Sequence, residues 1–371
     1  MHHYVFAALA ACAACPSALA QTAAAAPDAP AGWAPYLEVR LWEAHDGVPI
    51  KQFDKDWSQG FSPRAGRNVM FQRNRVEAGV ERGPWRLAWE YRQEAVLSTN
   101  RDTLELVHLY KQRIRPAAPA AFDVHASMDG WAAQGLRASR WFALPGQAAG
   151  GPRLNLALAL YARPRLRENS VDGTAAGGGG DDYSFSAVQN DVNSRFRYPF
   201  MGQSPGGSGV STALTLDWPL GQASRFTLNV DDLWSRMRWT NLPQTRQTAD
   251  SAVASYDAQG YINYRPLLNG RNSQISKSTA LRRTAAATLA GGFGDWGAAL
   301  QIERYAGVTI PTFTGSRRFA WGTLSASVDT RFKTFGVGVE RGDFHVALQA
   351  DTLNPNRAKA LGLNLGYRHP F

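Results

Sequence analysis

The sequence predicts an all-β chain folded as one transmembrane, antiparallel, up-and-down β-barrel of about 14 to 16 strands. Three observations carry this. Segments of about ten residues, apolar and polar by turns, recur between turn signals from Tyr36 onward; that two-residue period belongs to strands with one greasy face. Charged residues make up 19% of the chain, yet no apolar run approaches the ~18 residues a membrane helix needs. Connections come in two sizes, as barrels with short turns at one rim and long loops at the other require.

The N-terminus is read as an export signal. Residues 4 to 20 carry no charge, and "ALA" before Gln21 fits the small-x-small cleavage rule, which assigns residues 1–20 to a signal peptide. His2 and His3 stand where Lys or Arg is usual. A competing reading takes "LAAC", residues 9 to 12, as a lipoprotein box with Cys12 as the lipidation site. Under the first reading Cys12 and Cys15 both leave with the signal, so the mature chain has no disulfide and no thiolate metal site. Residues 21–35, rich in Ala and Pro, form a flexible lead-in, and residues 36–371 form the barrel.

Strands follow in order. Leu37, Val39 and Leu41 oppose Glu38, Arg40 and Trp42; Trp85, Leu87, Trp89 and Tyr91 oppose Arg86, Ala88, Glu90 and Arg92. Leu154, Leu156, Leu158 and Leu160 share a face, as do Leu214, Leu216 and Trp218, and later Phe344, Val346 and Leu348. Trp42, Trp85, Trp131, Trp218, Trp239, Trp296, Tyr305, Phe319 and Tyr367 lie near strand ends, where interface girdles would place them. Long polar connections are expected near 44–67, 167–190 and 240–275. The last of these exceeds what joining two strands needs and carries Tyr256, Tyr261 and Tyr264. A soluble sandwich or a solenoid would share the alternation, but loops so unequal do not suit a sandwich and no fixed repeat supports a solenoid. The strand count carries a conflict. Counting from the first strand puts "NPNRAK" (354–359) at the rim holding the chain ends, and counting from the last puts it at the opposite rim, so a strand is misread within 183–210 or 307–343.

Residues 361 to 371, "LGLNLGYRHPF", place Leu361, Leu363, Leu365, Tyr367, His369 and Phe371 on one face. This resembles the C-terminal signature strand of Gram-negative outer-membrane β-barrel proteins, with no particular family among them. His369 stands where an apolar residue is usual, and Pro370 removes a ladder donor. The resemblance implies an outer-membrane location, recognition of Tyr367 and Phe371 by the barrel assembly machinery, and contact with outer-membrane lipids and lipopolysaccharide.

Net charge is +10, with 34 Arg against 6 Lys. Charges on a lipid face cost several kcal/mol at the midplane, ~2–4 for Arg, so alternation turns Arg86, Glu90 and Arg92 inward. Arg73, Arg75, Glu77 and Glu81 form a second inward row, with Arg137 a further member. The expected function is a porin-like channel for passive diffusion of small hydrophilic solutes, with an anion bias from lumenal Arg. The alternatives are a structural or export-associated barrel whose Arg and Glu fill the bore, and an outer-membrane lipid hydrolase. For the last, "DVHASMDG" (123–130) places His125 and Ser127 on one strand face with Asp123 and Asp129, the residue types of acyl transfer. The spacing resembles the His-x-Ser element of outer-membrane phospholipases and lipid A deacylases, although Met128, Asp129 and Gly130 replace the phospholipase continuation. No metal ligand spacing, cofactor motif or nucleic-acid stripe is present: the histidines are scattered, "GGGGDD" (177–182) precedes no helix, and Arg is spread over many segments.

Overall fold

The computed structural model describes residues 32–369, apart from 117–118, 145–150, 178–182, 253, 257, 260–261 and 265. The expected signal peptide, both cysteines, most of the lead-in, Tyr261 and Phe371 lie outside the described residues. Eighteen strands and one α-helix follow in chain order: β1 (Ala34–His45), β2 (Asn68–Arg82), β3 (Trp85–Thr99), α1 (Arg101–Gln112), β4 (Ala120–Ala143), β5 (Arg153–Gly177), β6 (Tyr183–Asn193), β7 (Gly206–Pro219) and β8 (Ser224–Asp250). Then come β9 (Ala254–Tyr256), β10 (Ile262–Tyr264), β11 (Leu268–Thr279), β12 (Thr284–Phe293), β13 (Trp296–Tyr305), β14 (Val308–Phe319), β15 (Gly322–Asp329), β16 (Thr334–Arg341), β17 (Phe344–Ala350) and β18 (Ala360–Arg368).

All strands except the small β9–β10 hairpin belong to one antiparallel sheet. β18 pairs with β1 from Tyr36 opposite Arg368 to Ala44 opposite Ala360, which closes the sheet and leaves neither strand with a free edge. β6 and β7 both pair with β5 on one side and β8 on the other, so together they fill one wall position. β11 and β12 likewise share the far flank of β8. The barrel therefore has fourteen wall positions. This corrects the sequence count: 183–193 and 206–219 run in one direction as a single interrupted position, and "NPNRAK" falls at the rim opposite the chain ends. We call the rim bearing Ala34 and Arg368 the terminal rim and the other the far rim.

Wall height is uneven. β15 to β18 have seven to nine residues, while β4, β5 and β8 have 24 to 27. A tilted span needs only about 9–11 residues, so the longer strands stand clear of any bilayer. This corrects a second expectation. Much of 167–190 and 240–275, expected as loop, is sheet in the upper parts of β5, β6, β8 and β11. Water lies on both sides of the wall there, which removes the apolar alternation that marks a strand in sequence.

The outward rows carry exposed Leu87, Trp89, Leu136, Leu156, Leu158, Leu160, Leu289, Ile302 and Phe313. At the terminal rim, Trp85, Trp218, Phe293, Trp296, Trp321, Phe344 and Tyr367 form an exposed aromatic girdle. Guanidinium groups of Arg140 and Arg317 lie over the rings of Trp85 and Trp296. Four aromatics expected at the girdle are instead interior. Trp239 and Tyr305 are fully buried, and Trp42 and Trp131 pack beside them in two apolar clusters. An apolar band outside, a polar lining inside and no free edge define a transmembrane β-barrel of the outer-membrane type.

Loop 46–67 and α1 cover part of the far rim. Asn100 caps α1, accepting from the Thr103 amide at 2.9 Å. Leu104 and Val107 pack with Val48, Trp57 and Met70. Arg331 ties the 330–333 turn to Asp46 at 2.6 Å. In the neighbouring 351–359 connection, burial holds the Lys359 ammonium below its ordinary value, against the pull of Asp351 and Asp46.

Two outward leucines test which part of the wall meets lipid. Leu158→Arg on β5 should cost about 2–4 kcal/mol in unfolding from phospholipid vesicles, as an arginine near the midplane does. Leu268→Arg on β11, above the band, should change stability by less than about 0.5 kcal/mol.

Candidate functional site

The pleat turns β1 to β4 into four adjacent inward rows, and their charged residues meet at mid-height. Register puts Glu38, Glu77, Glu90 and Gly135 side by side, with Tyr161 of β5 next in line. Gly135 lacks a side chain between Glu90 and Tyr161, so the Tyr161 hydroxyl reaches over it and donates to Glu90 at 3.2 Å. A Cβ on Gly135 would stand 2.0 Å from the Leu160 carbonyl oxygen. Glu90 is completely buried.

Arg75 is the hub. It lies 2.7 Å from Glu77, 2.9 Å from Glu90 and 3.3 Å from Asp231 on β8, across the bore. Arg137 approaches the same three carboxylates at 3.8 to 4.0 Å. Arg92 pairs with Glu94 beside it and with Asp232 across the bore at 2.7 Å. Arg73 pairs with Glu303 of β13, and its guanidinium lies over the Tyr305 ring, whose hydroxyl donates to Glu94 at 3.1 Å. Nearer the terminal rim, Arg86 pairs with Glu38 and covers the Tyr36 ring, and Arg368 pairs with Glu81. Seven arginines (40, 73, 75, 86, 92, 137 and 368) thus face eight carboxylates (38, 77, 81, 90, 94, 231, 232 and 303). The lining carries no excess of positive charge.

Asp231 and Asp232 are neighbours in sequence, yet both reach arginines inside the barrel. Strand alternation alone would send one of them outward. A bulge supplies the reason. The register against β7 shifts between Thr212 and Leu214, and Asp232 takes a left-handed φ of 55°. The β11–β12 break flanks the same point, and β5 carries its own irregularity at Arg163, φ 50°.

The ion-pair grid narrows the interior between two adjoining spaces. Toward the terminal rim lies a polar vestibule of about 590 Å³, lined by Glu38, Glu81, Arg225, Asp217 and Arg368 among others. Above it is a chamber of about 220 Å³, bounded by Trp42, Asn74, Gln301, Ile310, Thr312 and Leu363. Arg40, Arg73, Arg75, Asp231 and Glu303 line both. Beyond the chamber, Phe332 packs edge to face with Trp42 and with Phe71, and Phe71 packs edge to face with Tyr305. On the tall side, Trp131, Tyr161, Met237, Trp239 and Leu242 fill the bore.

Arg73, Arg75, Glu77, Arg86, Glu90 and Arg92 all face this interior, each in at least one ion pair. Glu94, Asp231, Asp232, Glu303, Tyr161 and Tyr305 complete the grid; the sequence reading assigned none of them to the bore and expected Tyr305 in the girdle. The "DD" of 231–232 inside a strand is the signal that could have found two of them. Tyr367 lies in the outer girdle, away from the grid.

His125, Ser127 and Asp129 lie on the raised part of β4, above the grid. His125 Nδ1 is 2.5 Å from Asp172 of β5, and Asp129 pairs with Arg282. Ser127 stands opposite Ser98 and Ser170 in the ladder. Residues two apart on a strand are about 6.6 Å apart along the backbone, and the His125 ring contact runs to Asp172 of the neighbouring strand. Among the described residues no group of three His, Cys, Asp or Glu could hold a metal ion.

No protein-family model matches the chain, and no curated protein matches it. Solved structures do. The P. putida toluene transporter TodX is 11% identical over 92% of this chain and 91% of its own, with a TM-score of 0.42. A Pseudomonas aeruginosa FadL homologue is 10% identical over 91% and 90%, with a TM-score of 0.41. The Ralstonia pickettii toluene transporter TbuX is 7% identical over 92% and 90%, with a TM-score of 0.30. At these scores the matches speak for no substrate and no mechanism.

Two substitutions probe the grid. Glu90→Leu leaves buried Arg75 short of a partner and should destabilise the folded barrel by about 3–5 kcal/mol. Gly135→Ala should cost about 1–3 kcal/mol by overpacking. Denaturant unfolding in vesicles measures both.

Proposed function

We propose that the chain is a transport barrel of a Gram-negative outer membrane, which admits small polar solutes to a bore that is closed at rest. The terminal rim then faces the periplasm and the far rim the exterior, since barrels of this type keep short turns inside and long loops outside. The observation that carries the reading is the stack inside the bore: vestibule, ion-pair grid, chamber and aromatic septum. A wholly filled barrel would serve only as a wall, whereas a 220 Å³ space beneath the aromatic contacts, lined in part by the same residues as the vestibule, has room for a small molecule. Passage requires the grid and the aromatic contacts of Phe332 to part. Because Phe332 lies in the short 330–333 turn, that septum can move without breaking the sheet.

An open porin with anion bias is the second reading, favoured by the inward arginines and opposed by the carboxylates that outnumber them. Planar-bilayer recording of the refolded protein separates the two. Rare, brief openings are expected from the native chain, and longer ones from Phe332→Ala, with no preference for anions in the reversal potential. Steady anion-selective conductance would replace this proposal with the porin. Silence from both proteins at every voltage would leave a structural barrel.

A further inference from the structure

The interior arginines have carboxylate partners, but a second set on the outside of the wall does not. Past the bulge in β5, Arg163, Arg165 and Arg167 are exposed, alternating with buried Pro164 and Leu166. Their direction is outward, because Tyr161 and Leu166 point into the inner cluster. Two wall positions on, Arg236 and Arg238 of β8 are exposed between inward Ser235, Met237 and Trp239. Register links the two rows: Ala162, next to Arg163, is opposite Ser208, which is opposite Arg238. The segment 194–205, which separates β6 from β7, adds exposed Arg195 to the gap. It lies against the outer face, where the Tyr198 hydroxyl meets that of Thr245.

Among the described residues these six guanidinium groups have no ion pair, although like charges on neighbouring strands repel. Asp191, the acid nearest on this face, is held by the Asn169 amide at 3.1 Å. Their height is informative. Leu154 is the ladder partner of Phe142, an exposed ring beside Trp85 near the terminal rim, and the nine steps from it to Arg163 rise about 23 Å at usual strand rise and tilt, close to the ~25 Å apolar band of such barrels. Arg163 therefore stands at the headgroup level of the far leaflet, with Arg165 and Arg167 above it, while the ladder places Arg238 level with Ala162 and Arg236 level with Leu160, at the upper edge of the apolar band. Exposed Phe196, Phe200 and Trp234 lie among them, and the outward neighbours of Arg165 and Arg167 on β4 are the small residues Ala132 and Gly130.

We propose that this patch is a binding site for a phosphorylated glycolipid of the outer leaflet. Guanidinium forks match phosphate oxygens two by two, and the strands hold them in a fixed array. Trp234, lower on β8, contacts acyl chains below, and the trough over Gly130 and Ala132 leaves space for a sugar headgroup. The inference rests on the outer-membrane reading above. It does not depend on whether the bore conducts.

The test uses the full mature chain reconstituted in phosphatidylethanolamine vesicles, with bis-phosphorylated lipid A as the titrated probe. Binding should saturate, and Arg165→Gln/Arg167→Gln/Arg236→Gln/Arg238→Gln should weaken it about tenfold or more. Arg165→Lys/Arg167→Lys should fall between, since charge is kept and the fork lost. The control Arg140→Gln/Arg317→Gln, at the terminal rim, should bind as the native chain does. Retained folding of each variant is read from heat-dependent gel mobility. Equal affinity for phosphatidylglycerol, or competition by inorganic phosphate, would overturn the assignment to a glycolipid. Unchanged lipid A affinity in the four-fold variant would overturn the site. A native chain that enters no bilayer would overturn the outer-membrane reading itself.

Discussion

The interior ion-pair grid is the constraint around which the rest of the barrel is arranged. A guanidinium shut inside a narrow bore loses its water and must find a carboxylate, and removing one partner of a buried pair costs several kcal/mol, about 3–5. Arg75 and Arg92 find theirs on β8, and Arg73 finds one on β13. These contacts span the barrel, so they fix how far β2 and β3 stand from the facing wall. The wall bends to meet them. At the bulge that brings Asp231 and Asp232 inward together, the neighbouring strand position breaks between β11 and β12, and β5 takes a left-handed residue close by.

One residue type serves two environments here, and pleat parity decides which. Inward arginines on β2, β3 and β4 are paired with acids, and Arg73 and Arg86 also lie over tyrosine rings. Outward ones on β5 and β8 face the leaflet without acids. The +10 formal charge is thus not a property of the pore. Much of it lies on the membrane-facing surface and at the rims, while the grid itself carries more carboxylates than arginines.

Strand direction and face were legible wherever water lay on one side and lipid on the other. Alternation in 73–81 and 85–92 gave the inward arginines by local geometry, because the pleat repeats every two residues regardless of what lies across the bore. Above the bilayer the signal fades, as in 167–177 and 240–250, since both faces of the wall are wet. The grid's other half was not legible for a different reason. Asp231, Asp232 and Glu303 are brought to Arg75, Arg92 and Arg73 only by closure of the sheet, over separations in sequence of 140 to 230 residues.

Local pattern was enough to read the chain as an antiparallel barrel and to turn the charges of 73–81 and 85–92 inward, because a two-residue period and a lipid boundary leave few alternatives. Only the tertiary structure decided that there are fourteen wall positions and that two interrupted strands count once each. It also decided that Trp42, Trp131, Trp239 and Tyr305 plug the bore instead of girdling it. Those outcomes depend on register, bulges and contacts across the bore, which no local pattern encodes.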